Sequence, residues 1–205
     1  MTGRPAFGLA VLALTVLAAS GPAVRLGVPF TAGILMLPVA GALGLVAAIL
    51  AVVALVRGAA VPRPVIALVL GLGVAAVPAA GYVLARSVPP INDISTDPNE
   101  QSDAQRRAYP DIQPLRLPVA PNIAFERAKG AIEEAGWQIA REDPSAGRLE
   151  AVATTFWFGF KDDVVIRVAA DGPGSRVDVR SKSRVGKGDL GTNAQRIRVY
   201  QRRLQ

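Results

Sequence analysis

The stretch Val164-Val165-Ile166-Arg167-Val168-Ala169-Ala170-Asp171-Gly172-Pro173-Gly174-Ser175-Arg176-Val177-Asp178-Val179-Arg180-Ser181-Lys182-Ser183 decides the fold of the last part of this chain. Val164, Ile166 and Val168 alternate with Val165 and Arg167 up to the turn Asp171-Gly172-Pro173-Gly174. Beyond the turn, Val177, Val179, Ser181 and Ser183 share one strand face, and Arg176, Asp178, Arg180, Lys182 and Arg184 share the other. Successive side chains of a strand point to opposite faces, so the stretch reads as a hairpin with one covered and one charged face. Upstream, Trp137 and Ile139, the turn Asp143-Pro144-Ser145-Ala146-Gly147, and Leu149, Ala151 and Ala153 add two more strands. The expectation is a four-stranded antiparallel meander.

Helical periodicity flanks the meander on both sides. Pro121 suits a first helical turn, and Ile123, Ala124, Ala128, Ala131, Ile132 and Ala135 recur at helical spacing until Gly136 supplies a stop. A second helix is predicted from about Asp189 to Leu204, with Leu190, Ala194, Ile197, Tyr200 or Gln201, and Leu204 as its apolar seam. Residues 121–205 therefore read as an α+β domain, a helix, meander and helix sandwich whose helices cover one sheet face and leave the other wet. Residues 88–120 read as an extended Pro-rich tether, because Pro89, Pro90, Pro110, Pro114 and Pro118 disfavour helix. Within it, one edge strand is expected near Ile112 to Leu117.

Residues 1–87 obey different chemistry. The whole chain has 205 residues, 51% of them apolar, and all 16 acidic residues lie after position 87. Before it the basic residues are Arg4, Arg25, Arg57, Arg63 and Arg86 alone. Three charge-free apolar runs, about 6–24, 27–56 and 65–85, each reach the roughly 17 to 25 residues that cross about 30 Å of hydrocarbon. Pro38 and Pro78 are tolerated in such helices because neighbouring groups satisfy the freed carbonyls. The first run also has the form of a signal peptide, ending in Ser20-Gly21, and both readings stay open. Arg4, Arg57 and Arg63 against Arg25 and Arg86 place the N-terminus in the cytoplasm by the positive-inside rule. The expected location is the inner (plasma) membrane, multi-pass, with the C-terminal domain periplasmic or extracellular. A stripe of Ala40, Gly44 and Ala48 suits close helix approach.

Three strings in order carry a resemblance. They are Asn92-Asp93-Ile94-Ser95-Thr96-Asp97, Phe156-Trp157-Phe158-Gly159-Phe160-Lys161-Asp162-Asp163, and Val177 to Gly186 followed by Asp189-Leu190-Gly191 and Asn193. Together they resemble the bacterial and plant family called domain of unknown function 1499 over nearly all of residues 90–204. The resemblance implies a domain boundary and no assigned activity. It departs after Asp97-Pro98, where the family tends to Pro-Pro-x-Phe and this chain has Asn99-Glu100-Gln101-Ser102.

The sequence contains no Cys and no His, which excludes a Cys or His nucleophile, zinc sites built on those ligands, CxxC redox chemistry and a His or Cys haem ligand. No cofactor motif and no metal site is read. The oxygen-rich cluster Asn92, Asp93, Thr96 and Asp97 lacks the Gly and distal Glu of a calcium loop, so a turn outweighs a cation site. Phe156, Phe158 and Phe160 are expected in the core, with Trp157 turned outward. Arg180 and Arg184, with Asp162, Asp163, Asn193 and Trp157, form the candidate ligand site, an anion clamp weighed against simple cross-strand charge pairs. A Ser181/Lys161 pair has no supporting motif, and no catalytic residue is assigned. The reading is a membrane-anchored periplasmic binding module for an anionic ligand, a lipid headgroup or a partner protein. The alternative is a periplasmic hydrolase or transferase independent of His and Cys. Expected partners are the lipid bilayer and an unidentified membrane or periplasmic protein, and not nucleic acid, since no binding motif is present.

Overall fold

The computed structural model describes residues 3–205. The chain divides into two compact units, one formed by the residues up to Arg86 together with Phe156–Gly159, the other by Ser87–Thr155 and Phe160–Gln205.

The first unit contains α1 (Arg4–Arg25), α2 (Phe30–Val56) and α3 (Pro62–Ser87), the last ending where the second unit begins. All three are long and apolar enough to cross a membrane. At 1.5 Å per residue their 22, 27 and 26 residues reach about 33 to 40 Å. Small residues set their packing. A Cβ on Gly44 would lie 2.6 Å from the Gly71 carbonyl, and one on Gly71 would lie 2.4 Å from the Gly44 carbonyl. Ala40 and Ala48 are buried beside Gly44, so the small-residue stripe is used inside the chain, between α2 and α3.

The second unit holds β1 (Asp93–Ser95), α4 (Asp103–Ala108), β2 (Leu115–Leu117), α5 (Pro121–Glu134), β3 (Gln138–Asp143), β4 (Arg148–Thr154), β5 (Lys161–Asp171), β6 (Gly174–Ser183) and α6 (Thr192–Leu204). The sheet has six strands in the order β1-β6-β5-β4-β3, all pairings antiparallel, with β2 also pairing β6. The four expected strands are there as β3 to β6. β2 is the edge strand expected near Ile112 to Leu117 and β1 is additional; the two lie end to end along the outer edge of β6, Ile94 opposite Ser181 and Arg116 opposite Arg176.

Residues 88–120 are thus part of the domain and not a tether. Ile94, Ile112 and Leu117 are buried in the same core as Phe125, Ile166 and Tyr200. Prolines break helix, but they do not prevent short edge strands, where a missing N–H costs nothing. Buried glutamines do the rest. Gln105 accepts from the Ser95 N–H at 3.1 Å and donates to the Ser95 carbonyl at 2.6 Å, while Gln101 donates to the Ile112 carbonyl at 2.8 Å.

Burial alternates along the long hairpin as the period of two requires. Asp162, Val164, Ile166 and Val168 of β5 and Val177, Val179, Ser181 and Ser183 of β6 face the helices. The helix seam is Ala124, Phe125, Ala128 and Ile132 on α5 with Ala194, Ile197, Tyr200 and Leu204 on α6, and the Tyr200 hydroxyl donates to the Ala128 carbonyl at 2.8 Å. Ile123, expected in that seam, is exposed. At the far edge, the β3 register slips between Ile139 and Arg141, so Ala140 is an extra residue forming a bulge.

Candidate functional site

The sheet divides the expected site residues between its two faces. On the open face Arg180 grips Asp93 through two bonds, Nε to Oδ1 at 2.8 Å and Nη2 to Oδ2 at 2.6 Å, and Lys182 stands 3.5 Å from the same carboxylate. Arg184 holds Asp163 chiefly through one oxygen, Nε and Nη2 both donating to Oδ1 at 3.0 and 2.6 Å, with Nε also 3.2 Å from Oδ2. Arg176 pairs with Asp178 at 2.8 Å, and Arg167 with Glu100. Hydrogen bonding and charge from Arg180 outweigh partial burial and hold the Asp93 carboxyl below its usual range. Both guanidinium groups of the expected clamp are therefore taken up by the protein's own carboxylates, and an incoming anion must displace one.

Asp162 lies on the other face. It is part of β5 and not of a preceding turn, so the alternation that buries Val164 carries Asp162 inward as well. There it meets Arg196 of α6 at 2.5 Å, with side-chain exposures of 4% and 10% that mark a truly buried pair. Arg196 also donates to Ser181 Oγ at 2.9 Å and to Asn193 Oδ1. Ser181 Oγ donates to Asn193 Oδ1 at 2.7 Å, and Asn193 Nδ2 donates to Ser183 Oγ at 2.9 Å and to the Asn92 carbonyl at 3.1 Å. Asp162, Ser181, Ser183 and Asn193 are all buried, so this network joins β5, β6 and α6 and closes the start of β1. Ser181 is sealed from solvent and hydrogen-bonded to an amide oxygen, which has no basicity to activate it, while Lys161 is exposed. Sequence reasoning missed Arg196. The signal was Ser181 and Ser183 on an otherwise apolar strand face, since buried hydroxyls require polar partners.

The oxygen-rich cluster is a strand with a turn at its end. Thr96 Oγ1 accepts from the Val179 N–H at 2.8 Å and donates to Asp178 at 3.2 Å. Asp97 accepts from the Asn99 N–H at 3.0 Å, a side-chain turn, and Asn92 donates to the Gly186 carbonyl at 2.6 Å. Trp157 belongs to the first unit, whereas the other candidates belong to the second. Nor are the neighbouring aromatics a core stripe, because residues 156–158 form a turn and Phe156 is 87% exposed.

A different concavity was not anticipated. A groove of about 500 Å³ runs beside α6, lined by Trp137, Leu190, Gln195, Val199 and Arg203, among others. Its floor is firm, since the Trp137 ring stacks on buried Tyr200 at 5.3 Å. Its rim is strained. Asp189 accepts from the N–H groups of Gly191 at 2.9 Å and Asn193 at 2.6 Å, and this clasp coincides with two successive left-handed residues, Leu190 at φ 56° and Gly191 at φ 80°. Glycine takes that conformation freely, whereas leucine pays about 1 to 2 kcal/mol. Leu190 is 47% exposed, outside the helical seam where it was expected. Arg203 enters no ion pair or hydrogen bond among the described residues.

Fold and site together define a class: an α+β domain with a self-neutralised charged face, preceded by three helices of membrane-crossing length. The chain belongs to the family described as "Protein of unknown function (DUF1499)", whose model matches residues 91–204. That span begins two residues before β1, so the family domain includes the edge strands as well as the meander. No curated protein matches the chain.

Proposed function

We propose that this protein is a binding module held in the inner membrane by α1, α2 and α3, with its α+β domain on the periplasmic side, and that its groove beside α6 recognises an anionic amphiphile. The excess of Arg4, Arg57 and Arg63 over Arg25 and Arg86 supports the sidedness. The groove pairs apolar surface from Trp137, Leu190 and Val199 with the uncommitted guanidinium of Arg203, which suits a ligand with an acyl portion and an acidic headgroup. Leu190 carries the reading. An apolar side chain kept half exposed on left-handed backbone serves neither packing nor local geometry, and strain of this kind collects at binding sites.

The test uses detergent-purified full-length protein carrying Trp157→Phe, so that Trp137 is the sole tryptophan. Titration with phosphatidylglycerol shifts its emission saturably, and phosphatidylcholine does so far less. Arg203→Glu weakens phosphatidylglycerol about tenfold, the equivalent of losing one charge-assisted hydrogen bond. Leu190→Gly raises stability by about 1 kcal/mol while lowering affinity, because it relieves strain and removes contact surface together. Equal response to both lipids, or an Arg203→Glu titration identical to wild type, rejects the reading.

A further inference from the structure

The loop between β4 and β5 is closed tightly. The Thr155 N–H donates to the Phe160 carbonyl at 2.8 Å, and the Thr155 hydroxyl oxygen accepts from the Phe160 N–H at 2.9 Å. Between these clasps Gly159 takes φ 71°, and the loop displays Phe156, Trp157 and Phe158. Phe156 is the most exposed aromatic side chain among the described residues. Exposed aromatics on a tight tip need a cover, and the first unit shows which one.

Within that unit the tip is seated on α1. Trp157 Nε1 donates to Ser20 Oγ at 3.1 Å. Gly21 makes the contact possible, because a Cβ there would lie 2.7 Å from two indole atoms and 2.5 Å from the Trp157 carbonyl. Arg25, the last residue of α1, donates through Nε to the Phe156 carbonyl at 3.1 Å and to the Trp157 carbonyl at 3.3 Å. Ser20 precedes Arg25 by five residues, about 7.5 Å of helix rise. With Arg25 at headgroup level, the indole lies at the depth where tryptophan and tyrosine gather in membrane proteins. The same end of the spans carries Phe30, at the start of α2, and Tyr82 near the end of α3, over whose ring the Arg86 guanidinium sits at 4.7 Å. The opposite end has only Phe7 as an aromatic.

We propose that the Phe156-Trp157-Phe158 tip is an interfacial membrane anchor, docked on the outer end of α1 through Trp157 and placing Phe156 in the headgroup–acyl boundary of the bilayer. It adds a fourth attachment to the three spans and makes α1 a permanent part of the protein. Cleavage at Ser20-Gly21 would remove the surface on which the indole rests.

The test is quenching in vesicles of phosphatidylcholine and phosphatidylglycerol, using the full-length chain with Trp137→Phe, Trp157→Phe and Phe156→Trp, so that position 156 alone reports. Lipids brominated near the headgroup should quench this tryptophan several-fold more than lipids brominated at the acyl terminus, and aqueous iodide should quench it weakly. Trp137→Phe alone, which leaves Trp157 as reporter, should give the same order, and Phe156→Glu in that background should increase iodide access. N-terminal sequencing of the inserted protein should find α1 retained. Strong iodide quenching of Trp157 in the Trp137→Phe chain without bromine quenching, or a mature chain beginning after Gly21, overturns the proposal. The groove reading is reported by Trp137, so either idea can fail alone.

Discussion

The two faces of β5 and β6 use the same pair of residue types for opposite ends. On the open face Arg184 and Asp163 are each about half exposed, at 46% and 51%, and water screens what they gain. On the helix face Arg196 and Asp162 are almost wholly removed from water, and a charge left alone there has nothing to replace its partner. Proximity of Arg to Asp is equal in the two cases. The lesson is that burial, and not distance, decides which pair the fold depends on.

The hardest blow to this contrast is Arg196→Ala. It strands the Asp162 carboxylate and takes a donor from Ser181 and Asn193, so a loss of about 3 to 5 kcal/mol is expected in denaturant unfolding followed by Trp137 emission. The double variant Arg196→Met, Asp162→Leu should recover most of it, because no buried charge remains. If Arg196→Ala costs no more than Arg184→Ala, the contrast between faces is gone.

Asp93 sharpens the comparison from an intermediate position, with its side chain 31% exposed. Its folded pKa is depressed, chiefly by hydrogen bonding from Arg180, so its contribution is complete above the unfolded value of about 3.9 and fades as pH falls through the lower folded value. Wild type should exceed Asp93→Asn by up to about 1 kcal/mol at neutral pH, and the gap should close on acidification below about pH 4. A gap unchanged down to pH 2 would assign the effect to packing. The smallest expected effect is Asp163→Ala, about 0.5 kcal/mol or less and fading with added salt.

The long hairpin was legible because eleven- and ten-residue strands repeat their alternation often enough to be recognised. β1 was not, since three residues hold barely one period; β2 falls where an edge strand was expected, but Ile94, Ile112 and Leu117 are too far apart in sequence to signal a shared core. Asp162 and Asn193 were named as site residues, yet only the pairing register shows that Asp162 belongs inside. Starting β5 at Lys161 settles its face by the same count of two that buries Val164. The alternation Phe156, Phe158, Phe160 misled because Gly159 turns the chain, and a period of two has no meaning in a turn. The groove was invisible for a different reason. Trp137 and Arg203 are far apart in sequence and line one groove only after α6 packs beside α5.

On the proposed membrane placement, Ala140 has a consequence for a chain confined to two dimensions. A smooth outermost strand would offer its unpaired amides to the next copy, and confinement on a surface raises the chance of such encounters. The kink at Ala140, followed by Arg141 and Glu142, spoils the register any neighbour would need and adds charge to the rim. Dense arrays of these domains should therefore stay separate rather than zip into fibrils.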